Sequence, residues 1–137
     1  MPVVEELIRT EQDGTISFGN YKLGQKSKKS DFEYQGDIYK VKTYNEITKL
    51  ERNGSFVYES VPGTAVEHFS AKHDGVEFTV SGDKDAQITI QLEDDTEYEV
   101  YVDGVAVGGM KTNMSGKLVV SVELSEGVTC QVKVVKR

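Results

Sequence analysis

From Val76 to the end of the chain, apolar residues recur at every second position in run after run. The runs are Val76, Phe78 and Val80; Ile88, Ile90 and Leu92; Tyr98, Val100 and Val102; Leu118, Val120, Val122 and Leu124; and Val128, Cys130, Val132 and Val134. A period of two is the mark of strands with one buried face. Turn residues fill the intervals: His73-Asp74-Gly75, Ser81-Gly82-Asp83, Glu93-Asp94-Asp95, Asn113-Met114-Ser115-Gly116 and Ser125-Glu126-Gly127. None of these intervals has room for the crossover helix that parallel strands need. With a further strand over Thr64–Ser70, about seven short strands follow one another, which predicts an antiparallel β-sandwich.

Two hairpin turns are stated most plainly. Asp103-Gly104 and Asn53-Gly54 each supply the two positive φ angles of a type I′ turn. The first folds Thr96–Val102 back through Val105 and Val107. The second joins a strand over Glu46–Arg52 to one over Ser55–Val61. A two-residue loop there predicts Arg52 opposite Ser55, Leu50 opposite Val57 and Thr48 opposite Glu59, with Leu50, Val57 and Ile47 feeding a small core. A helix over 46–52 is the competing reading. Asp37–Tyr44 alternates Ile38, Lys40 and Lys42 against Tyr39, Val41 and Thr43, a strand with two partly covered faces.

Residues 2–12 admit two readings. Pro2 suits a first helical position, with Val3, Val4, Leu7 and Ile8 on one helical face. Asp13-Gly14 instead suits a hairpin between Ile8–Gln12 and Thr15–Phe18, and this reading is preferred. Gly24–Ser30 is polar and basic and is expected to be an exposed, mobile loop.

Charge and aromatics are unevenly spread. Residues 21–60 carry eight Lys/Arg against six Asp/Glu, whereas residues 61–137 carry seven against thirteen. Eight of the twelve aromatics precede Val61. The asymmetry predicts a small β-rich unit over 1–62, with an exposed basic loop at 24–31, and a sandwich over 63–137. Pro62 and Gly63 would form the corner between them.

Leu92-Glu93-Asp94-Asp95-Thr96-Glu97-Tyr98-Glu99-Val100 resembles the corner that precedes a central strand in fibronectin type III and immunoglobulin-like sandwiches. The resemblance implies that the Tyr98 hydroxyl returns to the backbone a few residues upstream and pins the crossing between sheets. Three strand-like segments follow Tyr98, where such domains would show two, so the strand order is left open.

A net charge of −7 argues against a nucleic-acid partner, which requires clustered Lys and Arg, and against an anionic membrane surface. No run of about 18 apolar residues is present, so no helical membrane span is expected. The first residues lack the basic and apolar regions of a signal peptide. Cys130 is the only cysteine. These features favour a cytoplasmic protein.

The inventory for catalysis is thin. His68 and His73 are the only histidines, and neither has a nucleophile at a recognisable spacing. No Cys-x-x-Cys or His-x-x-x-His pair supplies a zinc site. Asp83, Asp85, Glu93, Asp94, Asp95 and Asp103 could gather at one rim, but no calcium loop pattern is present and solvated turns are the expectation. Gly108-Gly109-Met110-Lys111-Thr112 lacks the P-loop spacing and reads as a bulge or bend in a strand. Cys130 falls on the inward parity of its strand and reads as a buried thiol. No metal and no cofactor is expected. The binding candidates are Tyr21, Tyr34, Tyr39, Tyr44 and Tyr58, which could form a stacking platform for sugars or a partner surface, although β units also fill cores with such rings.

Four groups of segments resemble short, uncharacterised bacterial proteins that bear an endosialidase-like label: Ser17–Tyr21; Tyr39–Thr43 with Ile47–Leu50; Val57–Val66; and Val102–Gly104 with Met110–Asn113. The resemblance covers nearly the whole chain and implies an all-β protein. It carries no active site across. Sialidase chemistry would require several arginines around a carboxylate, a Tyr–Glu pair and a multi-bladed propeller. This chain has Arg9, Arg52 and Arg137 only, and no Trp for a Ser-x-Asp-x-Gly-x-x-Trp box.

The sequence thus predicts a non-catalytic β-sandwich that acts by binding or self-assembly. Its partners would be further copies or another protein at its edge strands. The alternative is an accessory module for glycans or cell-surface polymers, and hydrolase activity ranks last.

Overall fold

A computed structural model describes residues 3–137; Pro2, the first residue of the alternative helix, lies outside them. Thirteen strands and no helix occur among the described residues. They are β1 (Ile8–Thr10), β2 (Ile16–Phe18), β3 (Ser27–Tyr34), β4 (Asp37–Thr43), β5 (Thr48–Arg52), β6 (Ser55–Val61), β7 (Ala65–Lys72), β8 (Gly75–Ser81), β9 (Ala86–Gln91), β10 (Glu97–Val102), β11 (Val105–Lys111), β12 (Lys117–Val122) and β13 (Thr129–Lys136). Every pairing is antiparallel, in a seven-stranded sheet ordered β1-β2-β7-β8-β13-β10-β11 and a six-stranded sheet ordered β12-β9-β6-β5-β4-β3. The two sheets pack face to face as a β-sandwich, with inner-face residues of both in one core.

The expected division at Val61-Pro62-Gly63 does not partition the strands. β1 and β2 extend the sheet that holds β7 and β8, while β9 and β12 extend the sheet that holds β4 to β6. Rings from both sides of the boundary meet at the centre. Phe18 lies edge-on to Tyr58 at 5.2 Å and to Phe69 at 5.5 Å, and Tyr58 lies edge-on to Phe78 at 5.5 Å. Each such pair adds about 0.5–1.5 kcal/mol beyond its buried area. The composition shift near Val61 therefore reflects one surface of the sandwich and not a second core.

Around Val61–Thr64 the chain passes from the six-stranded to the seven-stranded sheet, through a cis Val61–Pro62 peptide bond. A buried hydroxyl relay ties this crossing down. The Asn20 N–H donates to Thr43 Oγ1 at 2.9 Å, and Thr43 Oγ1 meets Thr48 Oγ1 at 2.8 Å. Thr48 donates to the Thr64 carbonyl at 2.8 Å, and Thr64 Oγ1 meets both Tyr58 Oη and Ser60 Oγ at 2.8 Å. Thr43, Thr48, Ser60 and Thr64 are fully buried, and no buried side-chain polar atom among the described residues lacks a partner. Gly63 is required by close approach: a Cβ there would sit 1.9 Å from the Tyr44 carbonyl oxygen.

The N-terminal segment forms the hairpin, with Ile8 opposite Phe18 and Thr10 opposite Ile16. Four expectations need correction. Gly24–Ser30 is not a free loop, because its second half enters β3 and pairs with β4. Pairing satisfies the backbone at no cost to the lysines, which stay in solvent at a sheet edge. In the Asn53-Gly54 hairpin, Arg52 faces Ser55 as expected, but Leu50 faces Tyr58 and Thr48 faces Ser60. A bulge at Val57 shifts the register by one and lets Val57 and Tyr58 both be buried. Ile47 stays half-buried outside the core. β4 has one covered face, not two: Val41 and Thr43 are buried, whereas Ile38 and Lys40 are exposed. Val128 precedes β13 in a turn and is exposed, leaving Cys130, Val132 and Val134 to carry the inward parity.

The three segments after β10 take distinct places. β11 is the outer edge of the seven-stranded sheet, β12 crosses to the edge of the other sheet, and β13 returns between β8 and β10.

Candidate functional site

The five tyrosines singled out as a platform do not come together at the surface. Tyr58 is fully buried in the aromatic cluster, and burial pushes its hydroxyl well above the ordinary value. Tyr21 is buried as well, and desolvation raises its hydroxyl pKa. Tyr34 and Tyr39 are half-buried and pack against the core. Tyr44 keeps a partly exposed ring, donates to Glu46 at 3.2 Å and lies 6.0 Å from the Lys26 ammonium. The bulge at Val57 explains the largest miss, since it inverts the parity by which Tyr58 would have faced outward.

The residues read as fold-specifying hold the frame. Tyr98 Oη accepts the Glu93 N–H at 3.2 Å, where β9 of one sheet passes to β10 of the other. Asn53 and Gly54 have φ of 53° and 82°, and Asp103 and Gly104 have 52° and 81°. Both first turn residues also lock the neighbouring strand. Asn53 donates its N–H to the Ile38 carbonyl at 2.7 Å and accepts the Ile38 N–H at 2.9 Å. Asp103 does the same with Gln131, at 2.8 and 2.9 Å. Cys130 lies beside it, and burial, then the Asp103 charge, push its thiol up to about 11.

His68 sits at a bulge of β7 with φ of 56°. Its Nδ1 is 3.0 Å from Asp13 Oδ2 and 3.2 Å from Thr15 Oγ1. The Ser17 hydroxyl donates to Glu11 and accepts the His68 backbone N–H at 3.1 Å. Arg9 links Glu11 at 3.0 Å to Glu67 at 3.4 Å. The Ser17 bond holds Glu11 below the usual carboxylate range, and the Thr15 hydroxyl does the same for Asp13. Chemically this cluster is a clasp between the β1–β2 hairpin and β7. The Thr15 hydroxyl donates to Asp13 Oδ1 at 2.5 Å and the Ser17 hydroxyl to Glu11, so both hydroxyl protons are held by carboxylates. His73 is exposed at the β7–β8 turn. No cluster of three or more metal-ligating side chains occurs among the described residues, and Asp83, Asp85 and Asp94 stand exposed in their turns.

Two surface features lay outside the sequence reading. An open groove of about 700 Å³ runs over the outer face of the seven-stranded sheet, lined by Glu77, Glu99, Tyr101, Gln131, Lys133 and Arg137 among others. Gln131 donates to Glu77 at 3.0 Å, and Arg137 donates to Glu99 at 2.6 Å while crossing over Gly109. The outward parity of Tyr101 was the signal for this groove. The second feature is β11. None of its residues is buried, and Val105, Ala106 and Val107 are all exposed. Its only extensive neighbour is β10, and Gly108 and Gly109 lie within the strand beside a bulge at Val107.

Among the thirteen strands only β3 and β11 contain no buried residue. β3 carries Lys28, Lys29, Asp31 and Glu33, the charges that guard an edge. From Val105 to Met110, β11 carries none. No family model, curated protein or solved structure matches the chain.

Proposed function

We propose that this protein is a non-catalytic β-sandwich that acts by association, with β11 as the edge that a second copy or another protein extends. One observation carries the reading: β11 is uncharged over Val105–Met110 and buries none of its side chains, with Val105, Ala106 and Val107 exposed and Met110 half-buried against the core. Folding accounts for Met110 but not for the exposed run Val105–Val107. An exposed edge of this kind offers a free row of backbone donors and acceptors with apolar side chains on both sides, which is what β-augmentation uses. Pairing of β11 with β11 about a two-fold axis would continue the seven-stranded sheet into a second copy and close the assembly.

Light scattering over micromolar concentrations tests this, together with co-purification of partners. A mass above that of the monomer, or a stoichiometric partner, should appear with the native chain and vanish with Val107→Lys. A monomer at every concentration, with no partner retained, ends the reading.

A second reading, an accessory module for glycans or cell-surface polymers, draws its support from the opposite sheet, whose outer face carries a row of lysines. The tyrosine platform does not support it, because Tyr21 and Tyr58 are buried.

A further inference from the structure

On the outer face of the six-stranded sheet, cross-strand partners form a row that runs across the strands. Lys28 faces Lys42, Lys42 faces Lys49, Lys49 faces Glu59, Glu59 faces Thr89, and Thr89 faces Val119. Three lysines are thus immediate lateral neighbours, spaced by about 4.8 Å per strand. Lys40 stands two positions from Lys42 on the same face of β4, roughly 7 Å away. The stems of these four lysines and Glu51 line one shallow depression. Lys49 reaches Glu51 at 3.6 Å. Among the described residues, Lys28, Lys40 and Lys42 form no ion pair.

Like charges directly opposite one another weaken strand pairing. The pairing of β3, β4 and β5 does not require them, because Val41, Thr43, Thr48 and Leu50 supply the buried face. Glu51 faces Lys40 and Glu59 faces Lys49, which leaves Lys28 and Lys42 without a carboxylate opposite; their mutual repulsion is an electrostatic cost that an anionic ligand relieves. The acidic remainder of the molecule does not cancel the attraction, since physiological salt screens exposed charges beyond about 8 Å.

We propose that this face binds an acidic polysaccharide laid across the strands, its anionic groups on Lys28, Lys42 and Lys49; the proposal rests on the glycan reading and gives it a charge class. A peptide that extends the sheet by strand addition would run along an edge, and this row crosses the sheet at right angles to its edges. A single-stranded nucleic acid needs stacking platforms. The row contains no aromatic ring, and Phe56, beyond Glu51 in the next row, lies under Lys117 at 5.5 Å. Past Glu59 the face carries the hydrogen-bonding groups of Thr89 and the pair Gln87–Ser121, flanked by exposed Val61 and Val119 and by Lys117. A ligand that fits both halves carries regular negative charge and many hydroxyls.

The test is a titration of the full chain with polygalacturonate, chondroitin sulfate and neutral dextran at low and physiological salt. The variant is Lys42→Gln/Lys49→Gln, and the charge-matched control on the other sheet is Lys72→Gln/Lys133→Gln. The two acidic polymers should bind, weaken with salt, and lose about tenfold in affinity in the variant but not in the control. The melting temperature of the variant should hold or rise, because lateral repulsion is removed, which separates lost binding from lost folding. Binding of dextran at equal strength, or equal losses in variant and control, overturns the lysine row and leaves the glycan reading standing. Binding of none of the three polymers overturns both. If a single-stranded oligonucleotide competes off both acidic polymers at lower concentration than either of them, the polysaccharide assignment is overturned.

Discussion

The hairpins β5–β6 and β10–β11 are made of the same parts. Each has a positive-φ pair at its tip, a bulge in its second strand, and a first turn residue that locks the adjacent strand through its N–H and its side-chain oxygen. They differ in what lies beyond the second strand. β6 is paired on both sides and buries Val57, Tyr58 and Ser60, whereas β11 has β10 on one side and nothing on the other. Local chemistry can therefore dictate a hairpin twice over while leaving its use undecided. A strand released from the core can serve association.

The largest break of this symmetry is expected in the core. Leu50→Ala, opposite Tyr58, should cost about 3 kcal/mol in urea unfolding, whereas Val105→Ala, exposed beside the tip of the edge hairpin, should cost less than about 0.5 kcal/mol. Equal losses would mean that β11 is not outside the core. The turn residues come next. Asn53→Ala should cost about 2 kcal/mol and Asp103→Ala about 1 kcal/mol, each losing a side-chain bond and forcing alanine into a positive φ. The gap arises because Asn53 also holds Asp37 at 2.9 Å and sits between strands paired on both sides.

Alkaline pH separates the hairpins further. The Cys130 thiol is raised from its ordinary value of 9.0 to about 11 by burial and then by Asp103. The unfolded chain thus releases this proton first, so the associated stability is complete below about pH 9 and is lost as pH rises towards 11. Asp103→Asn keeps a turn-forming residue, removes the charge and should lower the thiol pKa, so that less stability is lost over that window in melting curves. Tyr58 adds a loss above its ordinary value of 10.0, which Asp103→Asn leaves unchanged. The smallest effect on folding is expected for Val107→Lys, within about 0.5 kcal/mol, although it should remove association.

What was legible in the sequence was chemistry confined to a few neighbouring residues. Asn53-Gly54 and Asp103-Gly104 demand their turns, the alternating runs demand one-sided strands, and Tyr98 bonds the backbone five residues back. What was illegible depended on distant partners. The bulge at Val57 could not be foreseen, because Val57 and Tyr58 are both apolar and either register buries one of them. The first half of β3 looked like a loop, because its only reason to extend is β4. The boundary at Val61 looked real because lysines and aromatics cluster before it. Lys28, Lys40, Lys42 and Lys49 lie on one outer face, and Phe18 and Tyr58 interlock with Phe69 and Phe78 across that boundary. The surface reading went furthest astray at the tyrosines, since exposure is decided by which sheet covers which.

The central claim is that β11, alone among the edges, is built to be paired. Hydrogen exchange of the backbone amides at rising protein concentration tests it most directly. The account predicts that amides within Val105–Lys111 become protected as concentration rises, that Val107→Lys removes this protection, and that the edges β3 and β12 exchange at unchanged rates. Amides of β11 that exchange at the same rate at every concentration and in the presence of every co-purifying protein, or protection that grows first at β3 or β12, would contradict it.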